Sequence, residues 1–205
     1  VGTLGALDES ILSTPELSPD GRRVAVARFV QGNQDVWLIE TARGVPSRFT
    51  FDAGRDLCPL WSPDGSRIVF SSNRKGFGNL YQKASSGAGS DELLLESSRS
   101  KAASDWSPDG RYLLYLTSDP KTAYNLWVLP QFGPVAERKP FAFANTEFNE
   151  NLGQFSPDGR WIAYDSDESG RYEVYVQPFP GPGGKWQVST NGGFCSRWRR
   201  DGKEL

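Results

Sequence analysis

The sequence predicts an all-β chain, and three observations predict it. One Asp-Gly turn is written five times, the copies recur with a period in the forties, and each period holds four short strand signals and no helical pattern. The copies read LSPDGRRVAV, WSPDGSRIVF, WSPDGRYLLY, FSPDGRWIAY and WRRDGKEL. Their aspartates are Asp20, Asp64, Asp109, Asp158 and Asp201, 43 to 49 residues apart. Such a period with four strands is that of a β-propeller of four-stranded antiparallel blades. Four blades and the start of a fifth are present, so a partial or open propeller is expected.

Residues 54–98 give the clearest unit. DLCPLWS runs to an aromatic, PDG turns the chain, and SRIVFSS is β-branched and aromatic. NRKGFG is a polar loop, NLYQKAS alternates apolar and polar residues, and DELLLES closes the unit. The same template places blades at approximately 12–53, 54–98, 99–145 and 146–190, with an incomplete blade at 191–205, all in one domain of 205 residues. VGTLG at the start reads as the end of a preceding blade. The absence of methionine and the last residues DGKEL, which stop where a strand should begin, predict an internal piece of a longer protein.

In Ser-Pro-Asp-Gly, Pro presets φ, Asp can accept nearby backbone N–H groups, and Gly supplies a positive φ. The last copy has Arg200 in place of Pro yet keeps Asp201-Gly202, so Asp-Gly carries the turn. Repeated turns hold these carboxylates apart, which favours a structural over a catalytic role. Three residues before each aspartate stand Leu17, Trp61, Trp106, Phe155 and Trp198. A large apolar side chain at a fixed offset predicts packing between neighbouring blades rather than an aromatic ligand cage.

Composition excludes several function classes. A net charge of -2 does not suit a nucleic-acid partner or an anionic membrane surface. No apolar stretch is long enough to span a bilayer. The chain has no histidine, which removes Ser-His-Asp and Cys-His sites and every His-containing metal site. No metal or cofactor is expected.

WSPDGSRIVFSSNRKGFGNLYQK (61–83) resembles the WD40-like PD40 repeat of TolB-type propellers. Residues 92–115 and 170–205, above all VQPFPGPGGKWQVS, resemble the C-terminal propeller of bacterial receptor-type serine/threonine protein kinases common in Acidobacteria-like genomes. That resemblance implies an extracytoplasmic sensor propeller joined to a membrane segment and a cytoplasmic kinase domain. None of the kinase motifs lies in these residues, so no catalytic residue is carried over. The expectation is a non-catalytic module that binds a protein or small ligand, most specifically such a sensor. The alternatives are a periplasmic TolB-like interaction scaffold and the gating propeller of a prolyl-oligopeptidase-like serine peptidase. The expected location is extracytoplasmic, in a longer membrane-anchored or secreted protein. Open blade edges could pair with a second copy.

Three further motifs are weighed. DSDESG (165–170) opens like a calcium loop, but its twelfth position is Val176 instead of Glu, and a solvated hairpin is favoured. GPGGKW (181–186) resembles a phosphate loop only faintly, since Trp186 stands where Ser or Thr should bind Mg²⁺. Cys58 and Cys195 share one blade position three blades apart, so two buried thiols are expected rather than a disulfide. FDAGRD (51–56), TEFNENLG (146–153) and STNGG (189–193) precede inner strands. Arg55, Asp56, Glu150, Asn151 and Asn191 are therefore the candidate contacts at the mouth of a central channel, with ordinary solvated loops as the plainer reading.

Overall fold

The computed structural model describes residues 12–181 and 183–205, with side chains from Thr14 onward. The VGTLG segment lies outside the described residues. Two compact units are formed, Val1–Ala103 and Ser104–Leu205.

In the first unit, β1 (Leu12–Leu17), β2 (Arg23–Val30), β3 (Asn33–Glu40) and β4 (Pro46–Arg48) make one antiparallel sheet in chain order. A second sheet follows from β5 (Asp56–Trp61), β6 (Arg67–Lys75), β7 (Phe77–Ala84) and β8 (Glu92–Leu95). A third contains β9 (Lys101–Trp106), β10 (Tyr112–Asp119), β11 (Ala123–Pro130) and β12 (Phe141–Ala144). The fourth contains β13 (Glu150–Phe155), β14 (Trp161–Ser166), β15 (Glu173–Pro178) and the two-residue β16 (Trp186–Gln187). The fold is thus all-β, four four-stranded antiparallel sheets, as the repeat predicts. Among the described residues the one helical segment is a 3-10 turn at Val135–Glu137, opened by Pro134.

Each unit has its core between its two sheets. In the first, Ala25, Val36, Leu38 and Phe49 pack on Trp61, Ile68, Phe70 and Tyr81. In the second, Leu114, Leu126, Val128 and Ala144 pack on Phe155, Ile162, Tyr164, Tyr175 and Phe179. Trp61 and Phe155 before the turn belong to this seam, as their spacing predicts, but Leu17 at the same offset is 54% exposed and packs in neither core. Trp61 and Phe155 are each 5% exposed. Trp61 also donates its indole N–H to the Glu16 carbonyl of the preceding inner strand at 3.1 Å, and Trp198 does the same to Gln154 at 3.4 Å. A buried indole needs such a partner.

The turn is built identically four times. Ser18 donates its hydroxyl to Asp20 Oδ1 at 2.6 Å, and Asp20 Oδ1 also accepts the Arg22 N–H at 3.0 Å. Ser62/Asp64, Ser107/Asp109 and Ser156/Asp158 repeat the pair. Serine is therefore as much a part of the turn as Asp-Gly. The fifth copy, which lacks it, replaces the bond with an Arg199–Asp201 ion pair at 2.6 Å. Every turn glycine sits at φ between 69° and 72°. Proline has a second role: the rings of Pro19, Pro108 and Pro157 rest on the next turn's glycine, a Cβ on Gly159 lying 3.4 Å from the Pro108 ring.

Six residues before the turn aspartate, Thr14, Cys58, Leu152 and Cys195 adopt positive φ, and in β1, β5 and β13 they form a β-bulge. The two cysteines do share this position and both are free thiols, but Cys195 is exposed and Cys58 only half-buried, not the two buried thiols expected. The bulge turns Cys58 partly out of its ladder, whereas Cys195 lies in a bend outside any described strand, with no sheet to cover it.

Two outcomes follow. The Ser62 hydroxyl, with the backbone and hydroxyl of Ser66, holds the Asp64 carboxyl down at about 2, against 3.8 for a free aspartate. The turn's share of stability is thus complete above pH 4 and fades as pH falls through 2. Ser62→Ala will return the Asp64 titration, followed by carboxyl NMR, toward 3.8. Separately, a Cβ on Gly54 would meet the Arg74 backbone nitrogen at 2.7 Å. Gly54→Ala will destabilise the chain by about 1–3 kcal/mol in urea unfolding, the usual cost of overpacking.

Candidate functional site

The loops that enter the inner strands are held by buried polar side chains at two repeated positions. Eight residues before the turn aspartate stand Asp56, Lys101 and Glu150, each at most 4% exposed. Near the start of the third strand of each sheet stand Asp35, Asn79, Asn125 and Glu173, each 1% exposed. The two sets meet. Lys101 Nζ donates to Asn79 Oδ1 at 3.0 Å and to the Arg99 carbonyl at 2.7 Å. Asn125 donates to Glu150 Oε2 at 3.2 Å. Glu173 accepts the Gly192 N–H at 2.8 Å and the Ser189 hydroxyl, which hold its carboxyl below the usual range. Asp35 pairs with Arg48 at 2.8 Å.

Asp56 is served differently. Arg74 Nη2 lies 3.3 Å from its carboxylate and Nη1 lies 2.8 Å from Asp91, while the guanidinium stacks 4.4 Å over the Tyr81 ring. Lys83 adds a contact to Asp91 at 3.4 Å. Burial pushes the Asp56 and Glu150 carboxyls up, against the hydrogen bonds that pull them down. Asp56 is paired with Arg74, and Glu150 is held by hydrogen bonds from Thr146 and Asn125, since a buried charge needs such partners.

The candidate residues therefore divide. Asp56 and Glu150 are fully enclosed, and their carboxylates clamp the loop backbone and neighbouring side chains. Arg55 is exposed and donates to Gln34 Oε1 at 2.7 Å. Asn151 is half-buried, its Oδ1 accepting the Leu152 N–H at 2.9 Å. Asn191 is exposed. In the second unit an aromatic group lies among the same loops. Tyr124, Phe148 and Phe194 are 44%, 37% and 57% exposed. Tyr172 packs edge-on to Phe194 at 5.6 Å, and Asn149 ties the Tyr124 backbone at 3.2 Å to the Tyr172 hydroxyl. Sequence reasoning missed this group and Lys101. The fixed offset shared by Asp56, Lys101 and Glu150 was the available signal.

The DSDESG stretch closes the β14–β15 hairpin, with the Gly170 N–H donating to the Asp167 carbonyl at 2.9 Å. Its carboxylates diverge: Asp165 is buried and accepts the Cys195 N–H, Asp167 accepts the Asn149 N–H, and Glu168 pairs with Lys185. The GPGGKW stretch, whose Pro182 lies outside the described residues, joins β15 to β16. Among the described residues no helix is long and apolar enough to cross a membrane.

The TolB beta propeller domain model matches residues 6–131 of the sequence. This chain belongs to the TolB beta propeller domain family. The TolB-type chain is 31% identical to the uncharacterized peptidase YuxL of Bacillus subtilis over 52% of its length and 17% of that protein's. It is 26% identical to the Tol-Pal system protein TolB of Helicobacter pylori J99 over 82% of its length and 40% of the relative's. It thus spans well under half of these curated relatives. A solved putative TolB from Agrobacterium tumefaciens superposes with a TM-score of 0.77 at 19% identity, covering 90% of this chain and 64% of that one. These likenesses carry the propeller fold; no kinase is among them.

The seam of this TolB-type chain makes one pH prediction. Burial holds the Lys101 amine down at about 8, against 10.5 when free. Between those values the unfolded chain binds more protons than the folded one, so stability rises with pH there. The unfolding free energy of wild type relative to Lys101→Met will rise between pH 7.5 and 9.5, by on the order of 1 kcal/mol. Paired urea titrations measure it.

Proposed function

We propose that the chain is a non-catalytic binding module, a TolB-like protein-interaction scaffold that works outside the cytoplasm as part of a longer protein. One observation carries this reading. The repeated buried charges are spent on the seam, whereas the loops that differ between copies carry exposed aromatics. Tyr124, Phe148 and Phe194 stand in the second unit, with Asn149 bonded to the Tyr124 backbone and the Tyr172 hydroxyl. Rigid aromatic area beside amide groups is the composition of a protein contact surface. The TolB relatives support the scaffold reading over the receptor-kinase sensor, which rests on the sequence resemblance of residues 92–115 and 170–205 alone. The likeness to a peptidase supports a second reading, in which the propeller accompanies a hydrolase domain. A G-x-S-x-G elbow in the flanking gene sequence would favour that second reading.

The test is site-specific photo-crosslinking in the source cell. Probes at Phe148 and Phe194 will form discrete protein adducts, and a probe at Trp186 on the outermost strand will form none. Equal labelling from all three positions, or turnover of peptide, ester or ATP by the isolated chain, overturns the reading.

A further inference from the structure

A pocket of about 360 Å³ opens in the second unit, on the side of the repeated turns. It lies between the third and fourth sheets, away from the loops discussed above. Its floor is aromatic: Tyr112, the first residue of β10, meets Phe179 edge-on at 5.0 Å. Pro108 closes one side. The walls are the turn carboxylates Asp109 and Asp158. Each spends Oδ1 on a serine hydroxyl at 2.6 Å and a backbone N–H at 3.0 Å. Neither Oδ2 makes a hydrogen bond to a described residue. Both carboxyls are held below the ordinary aspartate range by those bonds, the serine first, so they are anionic at neutral pH. Arg111 stands at the rim, 5.9 Å from the Tyr112 ring and 5.2 Å over the exposed Phe132 ring, and its charge adds to the lowering of the Asp109 carboxyl.

The first unit shows what the corresponding seam accepts. Three residues after the turn aspartate, where the third sheet has Tyr112, the first has Arg23. Its guanidinium reaches across to the second sheet, 4.7 Å over the Trp61 ring and 2.7 Å from the Ser85 carbonyl. Ser85 holds the position that Phe179 holds in the fourth sheet. The first seam thus carries its own cation, held by the Trp61 face and the Ser85 oxygens. The second has exchanged that cation and its acceptor for two rings, and has kept both carboxylates.

We propose that this pocket binds the guanidinium of an arginine side chain presented by a partner peptide. The chemistry extends that of the first seam: a cation on an aromatic face, as Arg23 lies on Trp61, with the Oδ2 atoms of Asp109 and Asp158 as acceptors in place of the Ser85 oxygens. The volume exceeds one side chain, so flanking peptide can be taken as well. The site goes beyond the scaffold reading and uses none of the loop residues on which that reading rests.

The experiment is an NMR titration of the chain with acetyl-Gly-Arg-Gly-amide, with acetyl-Gly-Gln-Gly-amide and methylguanidinium as comparison probes. The arginine peptide is expected to give saturable shifts at Tyr112, Gly159 and Phe179, weakened by added salt, and the glutamine peptide none. Methylguanidinium binding as well as the arginine peptide would overturn the peptide part, leaving a site for a free organic cation. The double variant Asp109→Asn/Asp158→Asn keeps the Oδ1 acceptors and should bind at least 10-fold more weakly. Tyr112→Arg, which rebuilds the first seam's internal cation, should lose the shifts while its melting temperature shows the chain folded. Equal response to the glutamine peptide, shifts confined to other residues, no shifts at millimolar peptide, or undiminished binding in folded Tyr112→Arg overturns the proposal. None of these results touches the crosslinking test of the loop surface.

Discussion

The contact on which the rest depends is the aromatic ring at the end of an inner strand, buried on the face of the preceding sheet. A four-stranded sheet has two faces and cannot cover either by itself. Trp61 and Phe155 close that face with ring area, and Trp61 adds an indole hydrogen bond to the neighbouring strand. Burying a large ring is worth roughly 2–3 kcal/mol, more than any exposed ion pair in the molecule can supply. The turn follows from this need. The ring must arrive at the same height in every copy, and the Ser–Asp bond with glycine at positive φ fixes where the strand reverses.

A second constraint comes from the loops that carry the chain from one sheet to the next. Their backbone enters a nearly dry seam, where unpaired N–H and C=O groups are costly. The buried side chains at the two repeated positions meet that cost. The solutions differ in sign: an arginine between carboxylates at Asp56, an amine on carbonyl oxygens at Lys101, a carboxylate on an amide at Glu150. Removing one partner would leave a buried charge alone, which is far costlier than the net worth of the pair. Such positions tolerate exchange of the whole set and resist single substitutions.

Much of this was legible in the sequence. The period, the four strand signals and the aromatic three residues before each aspartate were enough for sheet order and the seam, because each is a local rule repeated. Asp56 and Glu150 were found but given a channel-mouth role, since a charged residue in a loop reads as solvated until its burial is known. Lys101 escaped because a lysine after the Ser-rich SSRS (97–100) reads as an ordinary solvated loop charge. The pocket was invisible: it depends on Tyr112 and Phe179, 67 positions apart, facing each other across a seam. The exposure of Cys195 reflects its place in a bend outside any described strand, where the repeat predicts an inner strand.

Where copies agree, the residues build; where they differ at an equivalent place, the difference has to be explained by something outside the repeat. Asp109 and Asp158 belong to the agreeing set and would hold their turns whatever lay beside them. The position three residues later belongs to the other set: Arg23, Arg67, Tyr112 and Trp161. Arginine there satisfies the seam from within, as Arg23 does on Trp61 and Ser85. A tyrosine facing Phe179 buries comparable apolar area but brings no charge to the turn carboxylates. Arg111 and Arg160 act on those carboxylates through their charge, but among the described residues neither guanidinium hydrogen-bonds an Oδ2 atom. The exchange makes sense if the cation is to come and go, and a seam that can be filled from outside turns a structural repeat into a recognition surface.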